Sequence, residues 1–122
     1  MHKVKIFFSY PILLVFWLII KKSKKWDLIH ADIQYYLHDY PNRIANVKYR
    51  DFVYLMIVAR TFRNVLYYRL KRCSVFLRGI YPSQNEPLIS CDSEIGGGLF
   101  FCHGFSTIVV AKAIGKNCWI NQ

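Results

Sequence analysis

The sequence predicts an α+β protein in which an N-terminal helical part hands over to the start of a parallel β-helix. Three observations predict this. Apolar residues recur at helical spacing through the middle of the chain; an aliphatic or aromatic residue recurs at a period of six from Ile89 to Gln122; and a turn-rich stretch, Ser83-Gln84-Asn85-Glu86-Pro87, lies between the two. A helical period asks for one buried stripe along a cylinder, whereas a period of six asks for short flat faces joined by corners. The chain then divides into an apolar, lysine-flanked segment at 1–25, a helical domain at 26–82, a connector at 83–88 and a partial β-helix at 89–122.

The first segment is dominated by Ile6 to Ile20, apolar except for Ser9 and Tyr10 and interrupted by Pro11. Fifteen residues of helix cover about 22 Å, short of the roughly 30 Å hydrocarbon core of a bilayer, so a straight span is marginal. Lys-Lys-Ser-Lys-Lys follows at once, which offers no small-residue cleavage site, and a cleaved leader is not expected. Lysines flank the run on both sides and give it no orientation. The expectation is a short span or an in-plane anchor at the inner face of the cell membrane. A buried helix or a dimer contact is the alternative.

Trp26 to Tyr40 places Ile29, Ile33, Tyr36 and Leu37 on one helical face, with Asp27 near the positive end of the dipole and Pro41-Asn42 as the stop. From Asp51 to about Leu77 the pattern reads as one long helix or two, with Phe52, Leu55, Met56, Ala59, Phe62, Val65, Leu66 and Leu70 on the buried face. Arg60, Arg63, Arg69 and Arg72 fall between these positions and predict a solvated basic face. Gly79 and Tyr81-Pro82 close the helical part.

Composition limits the function. The chain is 54% hydrophobic and 17% aromatic yet carries a net charge of +10, so it is neither disordered nor an average soluble domain. The charge is uneven. Six lysines and no acid occupy the first 25 residues, and nine Lys or Arg face only Asp51 between Arg43 and Arg78, while the repeat is near neutral. Such a surface attracts anionic lipid or nucleic acid alike. No nucleic-acid-binding motif accompanies it, which makes nucleic acid the weaker partner. Cys73, Cys91, Cys102 and Cys118 form no CxxC pair, and His103 adjoins the only cysteine it could partner, so no metal site is expected. Reduced thiols packed as small apolar residues in a cytoplasmic protein are the simpler expectation.

The repeat reads Ile89-Ser-Cys-Asp-Ser-Glu, Ile95-Gly-Gly-Gly-Leu-Phe, Phe101-Cys-His-Gly-Phe-Ser and, after a slip of one at Thr107, Ile108-Val-Val-Ala-Lys-Ala, Ile114-Gly-Lys-Asn-Cys-Trp, Ile120-Asn-Gln. The first residue of each hexad is expected to point inward, with Gly96 and Gly115 at tight corners where a Cβ would clash. The segment Ile95-Gly-Gly-Gly-Leu-Phe-Phe-Cys-His-Gly resembles the Ile-Gly-x-Gly-Leu/Ile-x-x-x-His-Gly/Ala segment of the serine acetyltransferase family, hexapeptide-repeat acyltransferases. Thr61-Phe-Arg-Asn-Val-Leu-Tyr-Tyr-Arg-Leu is similar to the Phe-Arg-x-Leu-x-x-Tyr-Arg element that precedes the repeat in bacterial polysaccharide-locus members.

The resemblance implies a left-handed β-helix and an acetyl-CoA-dependent O-acetyltransferase. His103 is then the general base that takes the proton of an acceptor hydroxyl while its oxygen attacks the thioester, a task that suits an imidazole at neutral pH. Gly96-Gly97-Gly98 would bring ligand close to the backbone, and Gly104 would leave His103 open. Two acids of the family are missing: the aspartate before the histidine is Cys102, and the one that orients it falls on Leu88. Asp92 or Glu94 is the candidate substitute. The acceptor is L-serine, as in cysteine biosynthesis, or a polysaccharide-precursor sugar, which the loss of the acid before His103 makes a serious rival. Family members are homotrimers. A left-handed coil takes three hexads, so 89–122 supplies fewer than two coils; most of the acetyl-CoA groove is expected beyond Gln122, and the chain as given is expected to be an inactive, incomplete form. The alternative from another class is a non-catalytic, membrane-associated scaffold or interaction protein.

Overall fold

The computed structural model describes residues 2–37 and 46–121. Helices come first: α1 (His2–Lys22), α2 (Trp26–Tyr36), α3 (Tyr49–Val58) and α4 (Arg60–Leu70), then a 3-10 turn (Lys71–Ser74) and α5 (Val75–Ile80). Six short strands follow: β1 (Leu88–Ile89), β2 (Glu94–Ile95), β3 (Leu99–Phe101), β4 (Ile108–Val109), β5 (Ala113–Ile114) and β6 (Cys118–Ile120). The molecule is α+β, with helices succeeded by parallel strand pairs. The expected end of the second helix at Tyr40 and Pro41-Asn42 lies outside the described residues.

α1 runs for 21 residues, about 31 Å, because the flanking lysines are good helix formers and extend the apolar run at both ends. The helix is therefore longer than the apolar stretch alone suggested. Ser9, Leu13, Trp17 and Ile20 form its buried stripe. The Trp17 ring lies 5.2 Å from that of Trp26 and 5.3 Å from that of Phe52, which ties α1 to α2 and α3. At the start of α3 the Asp51 carboxylate accepts the Lys48 N–H at 3.0 Å, capping the helix where its amides lack partners.

The long helical pattern resolves into two helices broken at Ala59, whose backbone is extended (φ −98°, ψ 92°). Alanine is the best helix former and gives no hint of a break. The cause is Arg63. Its guanidinium donates to Met56 O at 2.6 Å and Ile57 O at 2.8 Å, carbonyls at the open end of α3, and to Pro82 O at 2.6 Å. A cation bonded to a helix C-terminus is favourable, and here it replaces the lost helical bonds. Gly79 lies inside α5, which ends one residue later.

The strands form three two-stranded parallel pairs, β1–β4, β2–β5 and β3–β6, so the chain makes one rung and then lays a second against it. The register corrects one expectation. Leu88 pairs with Ile108 and Ile89 with Val109, and it is Val109 that is buried while Ile108 is 67% exposed. The segment after Phe101 bulges outward by more than the one residue expected, because Gly104 packs on the connector and the Ser106 N–H is held by the Glu86 carboxylate. The next corner is correspondingly shorter, which restores Ile114 opposite Ile95 and Ile120 opposite Phe101. The core of this part is Ile95, Leu99, Phe101 and Val109, closed at one end by Val65 from α4.

Two helices cover the free edge of the first rung, and a buried ion pair fixes them there. Arg69 of α4 donates from Nε to Asp32 Oδ2 at 2.9 Å and from Nη2 to Oδ1 at 3.1 Å. It also donates to Ile95 O at 2.5 Å and Gly96 O at 2.7 Å. The Asp32 carboxylate in turn accepts Gly98 N–H and Leu99 N–H, each at 2.9 Å. Burial pushes Asp32 above the usual carboxylate range, against the pull of Arg69 and the two backbone amides. The solvated basic face is thus overturned for Arg63 and Arg69, both buried, and holds only for exposed Arg60 and Arg72.

Candidate active site around His103

His103 sits just beyond β3, in the bulge that carries the chain to the second rung, and it is exposed. Cys102 N–H donates to Ile120 O at 3.1 Å, which anchors the bulge at one end. The other end is held by the connector. Asn64 of α4 donates to Gln84 O and Pro87 O at 3.0 Å each and accepts Gln84 N–H at 3.2 Å, so its amide locks the connector in place. Gly104 then packs so closely that a Cβ would lie 2.7 Å from Glu86 O and Pro87 Cδ. Beside its expected role of leaving the histidine open, Gly104 lets the bulge close on the connector.

Between the bulge, the connector and the α3–α4 junction lies a polar cleft of about 270 Å3, lined among others by Arg60, Thr61, Gln84, Cys102 and His103. The Thr61 hydroxyl donates to Phe101 O at 3.4 Å, and the Gln84 Oε1 is buried without a hydrogen-bond partner. An orphaned buried acceptor calls for a donor. Among the described residues Arg60 is the one fixed charge of the lining, and no carboxylate belongs to it. The sequence places Arg60 on a basic face, Thr61 in the element before the repeat and Gln84 in the connector, and none of them beside His103. They reach His103 only because the helix breaks at Ala59 and the connector folds back, and nothing in local patterning announces either.

The two candidate acids stand elsewhere. Asp92 is exposed at the corner between β1 and β2, where Cys91 Sγ lies 3.7 Å from its Oδ1, and Glu94 is exposed on β2. Among the described residues no hydrogen bond or ion pair joins either to His103. The acid that does touch the bulge is Glu86, through Ser106 N–H.

The glycine run faces the protein's own chain rather than open space. A Cβ on Gly96 would lie 2.9 Å from Gly115 C, one on Gly97 2.8 Å from the Ala31 Cβ of α2, and Gly98 takes φ +83° beside Asn117. Gly115 corrects a further expectation, since a Cβ there meets nothing within 4 Å. Of the thiols, Cys73 and Cys91 are exposed rather than packed, whereas Cys118 joins the core between the rungs. Among the described residues no group of three or more metal-ligating side chains assembles.

Compared with protein-family models, with characterised proteins and with solved structures, the chain matches none.

Proposed function

We propose that the paired rungs begin a left-handed parallel β-helix and that the chain carries the acceptor side of an acetyl-CoA-dependent O-acetyltransferase, with His103 as general base. In this reading the imidazole takes the proton of an acceptor hydroxyl as its oxygen attacks the thioester carbonyl. The new C–O bond forms, the C–S bond breaks, and coenzyme A leaves as the thiol once protonated. The observation that carries the reading is an exposed histidine, within the segment that resembles the acetyltransferase motif, opening on a polar cleft rather than on bulk surface. The cleft's volume suits a sugar or an amino acid, not the whole of acetyl-CoA, which enters as the second substrate.

A sugar hydroxyl is the better acceptor. Among the described residues an ammonium group finds no carboxylate in the lining, whereas the Arg60 guanidinium and the Thr61 hydroxyl offer a polyol hydrogen-bonding partners. Assembly as a homotrimer belongs to the same proposal. Release of coenzyme A thiol is the test, with L-serine and a panel of sugars as acceptors, on this chain and on any coding sequence that continues it. Sugar-dependent release that falls roughly 10²- to 10⁴-fold in His103→Ala, with an unchanged circular dichroism spectrum, is expected. No acetyl-CoA binding by the folded protein sinks the reading. One observation favours the scaffold as a second reading, namely that among the described residues no carboxylate bonds to His103. Lack of release together with stable capture of a partner subunit would favour it.

A further inference from the structure

α1 has two unlike sides. Ser9, Leu13, Trp17 and Ile20 face the helical core, while Val4, Phe7, Phe8, Pro11, Val15 and Leu18 recur at three- and four-residue spacing on the opposite side. Phe7 is 75% exposed, Phe8 68% and Val15 58%, so this outer side is not the flank of a core helix. Charge is confined to the ends: Lys3 and Lys5 at one, Lys21, Lys22 and Lys24 at the other, all exposed. Pro11 leaves an apolar hollow of about 470 Å3 between Phe7, Phe8 and Tyr10.

We infer that α1 lies in the plane of an anionic bilayer, with its outer side among the acyl chains and its terminal lysines on the headgroups. Length alone would permit a span. Packing opposes one. The Tyr49 ring of α3 lies 5.3 Å from Tyr10 and 5.9 Å from Trp17, at the middle of α1. A crossing α1 would therefore draw exposed Lys48 and Arg50, which adjoin Tyr49, into hydrocarbon. Lying flat, the same contacts leave α3 on the aqueous side and bury only the apolar outer side, as interfacial helices do. A removable leader does not fit either, because Trp17 is seated against Trp26 and Phe52 of the folded core. A second copy is disfavoured by charge, since two such helices would bring like-charged lysine ends together in a chain of net charge +10. An anionic leaflet answers those lysines.

Flotation of the full chain with vesicles tests this, using phosphatidylcholine alone and phosphatidylcholine with phosphatidylglycerol. Binding to the anionic vesicles is expected to exceed that to the neutral ones about tenfold or more. The double variant V15E/L18E, which alters only exposed side chains, should lose about tenfold in vesicle binding while its thermal melt stays unchanged. Alkaline carbonate should strip the bound protein. Undiminished binding of V15E/L18E overturns the inference, and carbonate-resistant retention replaces it with a span. A lipid-free dimer abolished by V15E/L18E would assign the face to a second copy. None of these readouts uses His103 or acetyl-CoA, so the outcome is independent of the transferase reading.

Discussion

The helical part and the paired rungs are stabilised in opposite ways. The helices satisfy most of their own backbones, with Asp51 and Arg63 serving the ends of α3, and pack through an apolar interface that Leu13, Trp17, Ile33, Phe52, Met56, Phe62 and Leu66 supply. The rungs have strands of two or three residues and one partner each, so the outer edge of the first rung would be left with unsatisfied backbone groups. Helical side chains take those groups up: Asn64 at Pro87 O, Tyr68 at Ser93 O, Arg69 at Ile95 O and Gly96 O, Asp32 at Gly98 N and Leu99 N, and Tyr36 at Phe101 N. Burial pushes the Tyr36 phenol well above the ordinary tyrosine range, which keeps it a neutral hydroxyl able to accept that amide. The helices therefore act as the template on which the first rung is laid, and the dependence runs one way.

Removing the Asp32 carboxylate should break that dependence with the largest effect. Asp32→Ala leaves the Arg69 guanidinium buried without its counter-charge and strands two backbone amides, a loss of about 3–5 kcal/mol. Urea unfolding measures the total. Amide exchange gives the distinction that matters: protection at β2 and β3 should collapse while amides around Trp17 and Phe52 persist. Equal loss in both regions would show one cooperative unit and erase the contrast. Replacing both partners, as Asp32→Leu with Arg69→Met, should cost less than the sum of the two single changes, since no uncompensated charge stays buried, although Gly98 N, Leu99 N, Ile95 O and Gly96 O lose their partners.

How much of this was legible in the sequence follows the same divide. Apolar periodicity announced the helices, because a buried stripe is a local property, and the period of six announced the parallel rungs for the same reason. Asp32 and Arg69 were legible in principle: Asp32 falls within the stripe of Ile29, Ile33 and Tyr36, and Arg69 lies three and four residues after Leu66 and Val65. An opposite charge inside each of two apolar stripes is the signal of a buried pair, yet local reading assigns every arginine to solvent. The break at Ala59 is not legible in the sequence, since the group that satisfies it, Arg63, reaches the carbonyls of the preceding turn only in the folded chain. The slip after Phe101 was read as one residue too short, because pairing partners, not hexads, decide which of Ile108 and Val109 turns inward. His103 stands out only through the resemblance of its segment to a family motif, and the Arg60–Thr61–Gln84 side of the cleft beside it exists only through the tertiary fold.

A smaller effect distinguishes two glycines that look alike in the repeat. Gly96→Ala places a Cβ 2.9 Å from both Gly115 C and Lys116 N, backbone atoms of the second rung, so the rungs must separate. Overpacking of this kind costs about 1–3 kcal/mol. Gly115→Ala meets nothing within 4 Å and should change stability by no more than about 0.5 kcal/mol. Thermal melts of the two variants side by side check the register directly. Equal losses would mean that the rungs do not stack as the pairing of Ile95 with Ile114 requires.

The finest probe is a single hydroxyl. Tyr68 donates its O–H to Ser93 O, while the Arg69 guanidinium lies 5.6 Å from the centre of the Tyr68 ring. Tyr68→Phe keeps the ring and its cation–π contact and removes only the hydrogen bond, so the substitution isolates one strut of the template. The loss should be about 1 kcal/mol, at the low end of what Gly96→Ala should cost. Ser93 also receives Ala111 N–H on its side-chain oxygen at 3.3 Å, which links the corner of the first rung to the second. Freeing Ser93 should therefore raise amide exchange at Glu94, Ala111 and Ile95 and leave α1 and α3 untouched. Unchanged exchange at those three amides would mean that the first rung holds its corner without Tyr68, and the one-way dependence would then rest on Asn64, Asp32, Arg69 and Tyr36.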